Sequence, residues 1–175
     1  MRFRAMLIEF SVKNYRSFRD EQTLSLARAK GGELVESNTF NHGAAAGTEL
    51  LRTAAIYGPN AGGKTNLVKA VGVMKRIVLE SASQRQHGDS LPVTPFLLDE
   101  MNEDTPTEFE IIFIADGVRY QYGFSTTMEK VVEEWLLAFP KGRSQCWFGR
   151  IWNKKKNAYN WEMGNSFIGQ KQLWQ

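Results

Sequence analysis

Apolar and polar side chains alternate through much of this chain with the two-residue period of a half-buried strand. Leu7-Ile8-Glu9-Phe10-Ser11-Val12 sets the pattern, and a second short strand is expected at residues 22–26. Further on, Phe109, Ile111 and Phe113 alternate with Glu108 and Glu110. Asp116-Gly117 then supplies a tight hairpin turn, and Val118, Tyr120, Tyr122 and Phe124 alternate on the return. Residues 130–139 predict another strand, and 145–152 and 157–162 a further pair around Asn153-Lys154-Lys155-Lys156-Asn157. Residues 107–162 thus read as an antiparallel β-meander. Residues 27–50 follow no period; small, polar and glycine-bearing, they predict a loop insertion.

One stretch changes period. Ala54-Ala55-Ile56-Tyr57 predicts a short apolar strand running straight into Gly58-Pro59-Asn60-Ala61-Gly62-Gly63-Lys64-Thr65. Beyond it Leu67, Val71, Met74 and Val78 recur at i, i+4, i+7 and i+11, predicting a helix over 63–83 with that face inward. Glycine-rich loop between strand and helix is the arrangement of a P-loop. Gly58, Gly62 and Gly63 let backbone N–H groups turn inward as an anion nest, and the helix N-terminus points its dipole at the same phosphates. Lys64 is expected to reach the terminal phosphates as a mobile charge and to serve as the catalytic cation, and the Thr65 hydroxyl to ligate Mg²⁺. The motif and its setting predict binding of a nucleoside triphosphate, ATP with Mg²⁺, through residues 58–65 and the neighbouring Asn66.

Two motifs carry a family resemblance. The segment LIEFSVKNYRSF, containing Asn14-Tyr15-Arg16-Ser17-Phe18, and the segment YGPNAGGKTNL resemble the N-terminal region of RecF-like and structural-maintenance-of-chromosomes-like ATPases with an ABC-type head. The similarity is nearest to bacterial stand-alone ATPases of the abortive-infection and overcoming-lysogenization-defect type. It covers about residues 7–136, specifically at the two motifs and loosely through FEIIF, GVRYQYGF and VVEEWL. The resemblance implies an α/β P-loop NTPase fold: an ABC-ATPase-type N-terminal lobe whose P-loop helix packs against mixed and antiparallel β-sheet. Residues 1–175 would form one partial domain of a longer ATPase. It also implies that Asn14, Arg16 and Ser17 lie beside the nucleotide. In such proteins two heads sandwich ATP, and hydrolysis drives engagement of DNA or of an effector such as a phage-defence nuclease.

Hydrolysis in this class needs a strand ending in Asp-Glu, to support Mg²⁺ and polarise water. Phe96-Leu97-Leu98-Asp99-Glu100 is short, follows Pro95 and precedes a meander, so Asp99 and Glu100 read better as a solvated acidic pair. No Leu-Ser-Gly-Gly-Gln-like signature follows, His87 stands too near the P-loop helix for a switch histidine, and Gln84 and Gln86 are unremarkable. A nucleotide-sensing or DNA-binding regulatory module that catalyses nothing is therefore the alternative to an ATPase. A small kinase or GTPase is disfavoured, because those folds continue with parallel βα units and Asn153-Lys154-Lys155-Lys156 lacks the guanine-reading aspartate.

Composition adds two points. The net charge of +3 hides an asymmetry: residues 1–30 hold seven basic and three acidic side chains, 31–139 eight and fifteen, and 140–175 seven and one. Basic ends fit a nucleic-acid surface, and equally lysines that guard strand edges. Trp147, Trp152, Tyr159 and Trp161 interleave with these cations as base-stacking or packing residues. His42 reads as a surface residue, and the single cysteine, Cys146, as a small core residue suited to a reducing cytoplasm. The apolar runs are too short to span a bilayer and no leader pattern opens the chain, so a cytoplasmic location without membrane contact is expected.

Overall fold

The computed structural model describes residues 5–41, 49–81, 90–98 and 105–165. Asp99, Glu100, His42, His87, Gln84 and Gln86 lie outside them. The elements in chain order are β1 (Met6–Lys13), β2 (Gln22–Ser25), α1 (Val35–Asn38), β3 (Thr39–Phe40), β4 (Leu50–Leu51) and α2 (Lys64–Ser81). They are followed by β5 (Thr107–Ala115), β6 (Val118–Thr126), β7 (Val131–Phe139), β8 (Gln145–Asn153) and β9 (Ala158–Met163). Seven strands form one sheet in the order β2-β1-β5-β6-β7-β8-β9, and β3 pairs with β4 in a two-stranded sheet.

Each strand pair among the described residues is antiparallel. This corrects the expected α/β architecture with a mixed sheet. A parallel pair needs a crossover connection, and the one long helix does not make one. The predicted strand at 54–57 forms no pairing: its residues are exposed, Ile56 at 41% and Tyr57 at 89%. With no strand entering the helix, there is no βαβ unit. Instead α2 lies across one face of the antiparallel sheet.

That face follows from strand alternation. Val12 sits opposite Phe109, which sits opposite Phe124, so three strands present apolar side chains to one side. Phe10, Val12, Tyr15, Phe109 and Phe124 close with Ala70, Met74 and Ile77 of α2, and with Leu91 and Val93, into the core. Phe109 is its centre, with ring centroids 5.8 Å from Tyr15 and 5.3 Å from Phe124. The inward helix face differs from the expected one. Met74 is buried and Leu67 partly so, but Val71 and Val78 are each 38% exposed, while Ala70 and Ile77 take the core positions. The helix is apolar on more than one side, with Val68 and Leu79 also exposed, and the small Ala70 allows close approach to the aromatic floor.

The β5–β6 hairpin turns at Asp116 and Gly117, both at positive φ (49° and 77°), as a two-residue turn matched to strand twist requires. Beyond the helix, the same sheet face holds a charged network. Tyr122 donates its hydroxyl to Glu134 Oε1 at 2.7 Å, and Arg150 Nε reaches Glu134 Oε2 at 2.6 Å. The Arg150 guanidinium lies over Tyr159 and Trp161, 4.6 and 5.3 Å from their ring centres. Burial first, and then the Glu134 carboxylate, push the Tyr122 phenol far above its ordinary range. Burial, with Glu162 nearby, likewise raises the Cys146 thiol, which therefore stays protonated at neutral pH. None of the helices is long and apolar enough to cross a membrane among the described residues.

Two outcomes are expected. Phe109→Ala removes the ring at the centre of the core and should destabilise the fold by about 3–5 kcal/mol, read from denaturant unfolding. Because the folded state raises the Tyr122 pKa, its contribution is fully present below the unfolded value of about 10 and is lost as pH rises above it. Thermal unfolding above that pH should therefore fall less steeply in Tyr122→Phe than in the wild type; identical slopes would refute the role of this phenol.

Candidate functional site

The site is built where β1 ends. After Lys13 the chain reverses in a tight turn: Tyr15 and Phe18 exchange backbone hydrogen bonds at 2.8 Å each, and Asn14 N–H donates to Arg19 O at 3.2 Å. Asn14 (φ 50°) and Arg16 (φ 51°) both adopt the left-handed conformation, which places Arg16 and Ser17 at an exposed tip. Asparagine tolerates this region well and arginine less so.

The glycine-bearing loop of residues 58–65 meets this tip. Ala61 (φ 63°) and Gly63 (φ 87°) are left-handed, and Gly62 N–H closes onto Pro59 O at 3.1 Å. These two left-handed residues make the tight bend that carries the chain into α2. Gly63 O then accepts from Asn66 N–H and Leu67 N–H at 2.8 and 3.1 Å, which starts α2. Lys64 folds back over the loop, its Nζ 2.7 Å from both Gly58 O and Pro59 O. Thr65 is exposed.

Ser17 and Phe18 are brought directly against this loop. Asn66 Nδ2 donates to Ser17 Oγ at 2.9 Å. A Cβ on Gly63 would stand 2.6 Å from Phe18 Cε1 and 3.3 Å from Ser17 Oγ. Only glycine therefore fits there, on two separate grounds: its φ and the Phe18 ring. Phe18 belongs to the recognised motif, but an aromatic at a turn gives no hint in sequence that its ring will lie against the second motif.

Arg16 and Asn14 are placed differently. The Arg16 guanidinium stays with its neighbour Tyr15, Nε 3.1 Å from the hydroxyl and Cζ 5.6 Å from the ring centre. Asn14 is 1% exposed. Its amide donates to Thr105 O at 2.6 Å, its Oδ1 accepts from Phe96 N–H at 3.0 Å, and its carbonyl accepts from Thr107 Oγ1 at 2.7 Å. Arg16 N–H donates to Thr94 O at 2.9 Å. The turn is thus fastened to the 93–97 segment on one side and leans on the phosphate loop on the other.

A phosphate group would find here a glycine-bearing loop with left-handed Ala61 and Gly63 and a lysine resting on two carbonyls it can leave. Among the described residues, no cluster of three His, Cys, Asp or Glu side chains could hold a metal alone. Any Mg²⁺ would rest on Thr65 and on the phosphates themselves.

Gly63→Ala should destabilise the chain by about 1–2 kcal/mol through left-handed strain alone, with the clash against Phe18 added. In the double variant with Phe18→Ala, the combined loss should be smaller than the sum of the two single losses, measured by a double-mutant unfolding cycle. Simple additivity would show that the ring does not press on the loop.

No curated protein and no solved structure matches the chain. One family model does, over residues 54–155, from the segment entering the phosphate loop through strands β5 to β8. Its description reads "AAA domain, putative AbiEii toxin, Type IV TA system". The match spans more than half of the sequence, and the chain belongs to this AAA-domain family.

Proposed function

We propose that this lobe binds ATP at residues 58–66 and acts as a nucleotide-sensing regulatory module. The observation that carries the reading is the contact of the turn with the phosphate loop: Ser17 on Asn66, and Phe18 against Gly63. A loop whose occupancy alters its backbone shifts the groups leaning on it, and here those groups lead through Arg16 and Asn14 into the rest of the fold. Lys64 exchanges its two carbonyl partners for phosphate oxygens, a charge-assisted contact roughly twice as strong as a neutral one. Gly58, Pro59, Asn60, Ala61, Gly62 and Gly63 supply the cradle, Thr65 the hydroxyl toward Mg²⁺, and Arg16 a permanent cation close to the tip.

Hydrolysis is the second reading. It rests on the resemblance of residues 14–18 and 58–67 to RecF-like and chromosome-maintenance ATPases, and it assigns Lys64 a catalytic role in a longer protein. There a second head, DNA or an effector protein would be the partner.

Fluorescent ATP-analogue binding, with Lys64→Ala alongside, tests the first reading. The variant should bind at least about tenfold more weakly, as loss of a charge-assisted contact of some 1.5–3 kcal/mol predicts. Equal binding by the two proteins rejects the phosphate-loop assignment. Mg²⁺-dependent phosphate release by the wild-type chain, abolished in Lys64→Ala, would instead favour the hydrolytic reading.

A further inference from the structure

A concavity of about 1050 Å³ opens along the 93–97 segment to which the turn is fastened. Val93, Pro95, Met128, Val132 and Trp152 give its wall apolar surface, with the exposed Leu97 also lining it, and threonines between them add hydroxyls. Its charges are Lys130, Lys154 and Glu129. The volume is at the upper end for a small-molecule cleft, and the groove is open rather than enclosed.

Two arrangements in it point to one class of ligand. First, Lys130 Nζ stands 4.5 Å from the centre of the Trp152 ring. An ammonium and an aromatic face so close together can meet the phosphate and the base of a single nucleotide, once the lysine swings off the ring. Second, the β8–β9 turn is organised to present cations. Asn153 Oδ1 accepts from Lys155 N–H at 3.0 Å and Lys156 N–H at 3.1 Å, and Asn157 closes the turn at φ 50°. Lys154, Lys155 and Lys156 are thereby held exposed on one fixed turn beside the groove. Asp99, Glu100, Glu103 and Asp104 fall in sequence between the lining residues Leu97 and Thr105, outside the described residues. Comparison of variants is therefore more decisive than net charge.

We propose that this groove binds single-stranded nucleic acid. Bases lie along the wall formed by Trp152, Pro95 and Met128, and phosphates are met by Lys130 and the lysines of the β8–β9 turn. Duplex is excluded because its bases are stacked inward and cannot reach Trp152. An acidic peptide would use the lysines but leave the aromatic wall without a planar partner. The proposal does not depend on the phosphate loop, and its test uses no ATP. The groove wall is nonetheless joined to the turn that touches that loop, since Thr94 and Thr105 line the groove and accept hydrogen bonds from Arg16 and Asn14.

The test is fluorescence anisotropy with labelled oligothymidine, oligouridine, a duplex of equal length, and polyglutamate as the acidic-polymer probe. Wild type should bind one or both single strands, with the DNA and RNA arms deciding which. Trp152→Ala and Lys130→Gln/Lys154→Gln should each weaken binding by about tenfold, in the range of one lost base stack or of lost phosphate contacts. Lys69→Gln/Lys75→Gln, on the exposed side of α2, should bind as wild type does. If Trp152→Ala fails to fold, the lysine pair decides alone. Equal losses in both lysine pairs, equal affinity for duplex, or binding of polyglutamate in place of the oligonucleotides overturns the proposal.

Discussion

The structure turns on one buried amide. Asn14 ends β1 in a left-handed conformation that few residues adopt without strain. It is held there by hydrogen bonds to Arg19, Phe96, Thr105 and Thr107. Buried polar groups are stable only when satisfied, and each bond lost here would leave an orphan worth about 1–3 kcal/mol. The amide therefore fixes three things together: where β1 stops, how the 93–97 segment lies beside β5, and where the tip with Arg16 and Ser17 points. The position of the tip against Gly63 and Asn66 follows from it. So does the floor on which α2 rests, since Tyr15 next in chain is fully buried against Phe109.

Strands were more legible than their assembly. β5 and β6 follow from Phe109, Ile111, Phe113, Tyr120, Tyr122 and Phe124, because a two-residue period leaves no other way to bury one face, and Asp116-Gly117 supplies the turn. The segment 54–57 shows the limit of the same reasoning. Alanine, isoleucine and tyrosine suit a strand, but a strand exists only by pairing, and residues 54–57 pair with no described strand. The expected parallel layer went with it. The face of α2 was misjudged for a different reason. Val68, Val71, Val78 and Leu79 add apolar positions outside the buried stripe, so periodicity alone does not select Ala70 and Ile77. Fit against aromatic rings selected them.

The candidate site was legible in part. Glycine spacing and the lysine single out residues 58–65 from sequence, and in the structure Ala61 and Gly63 of that loop are left-handed. Ser17 and Asn66, far apart in sequence, meet through a hydrogen bond that only the folded chain reveals. Asn14 reads in sequence as an ordinary turn residue; its burial depends on contacts with residues 96, 105 and 107, all distant in the chain. The groove beside β8 and β9 had no sequence signature beyond lysines near tryptophans, a pattern that packing alone also produces.

Arg16 shows how the two sides of the turn could respond to charge. In the structure its guanidinium rests on Tyr15, over the ring in a contact worth about 0.5–1 kcal/mol at an exposed position, and with Nε donating to the hydroxyl at 3.1 Å. A charge-assisted hydrogen bond to a phosphate oxygen is worth about 1.5–3 kcal/mol. A phosphate that engages the guanidinium through two N–H groups outweighs the ring contact and the single bond to the hydroxyl. The backbone of Arg16 does not follow freely, because its N–H is bonded to Thr94 and its φ is left-handed. The guanidinium thus belongs to a residue whose main chain is tied to the groove wall. That tie is a backbone link by which the Arg16 position meets the groove wall through Thr94.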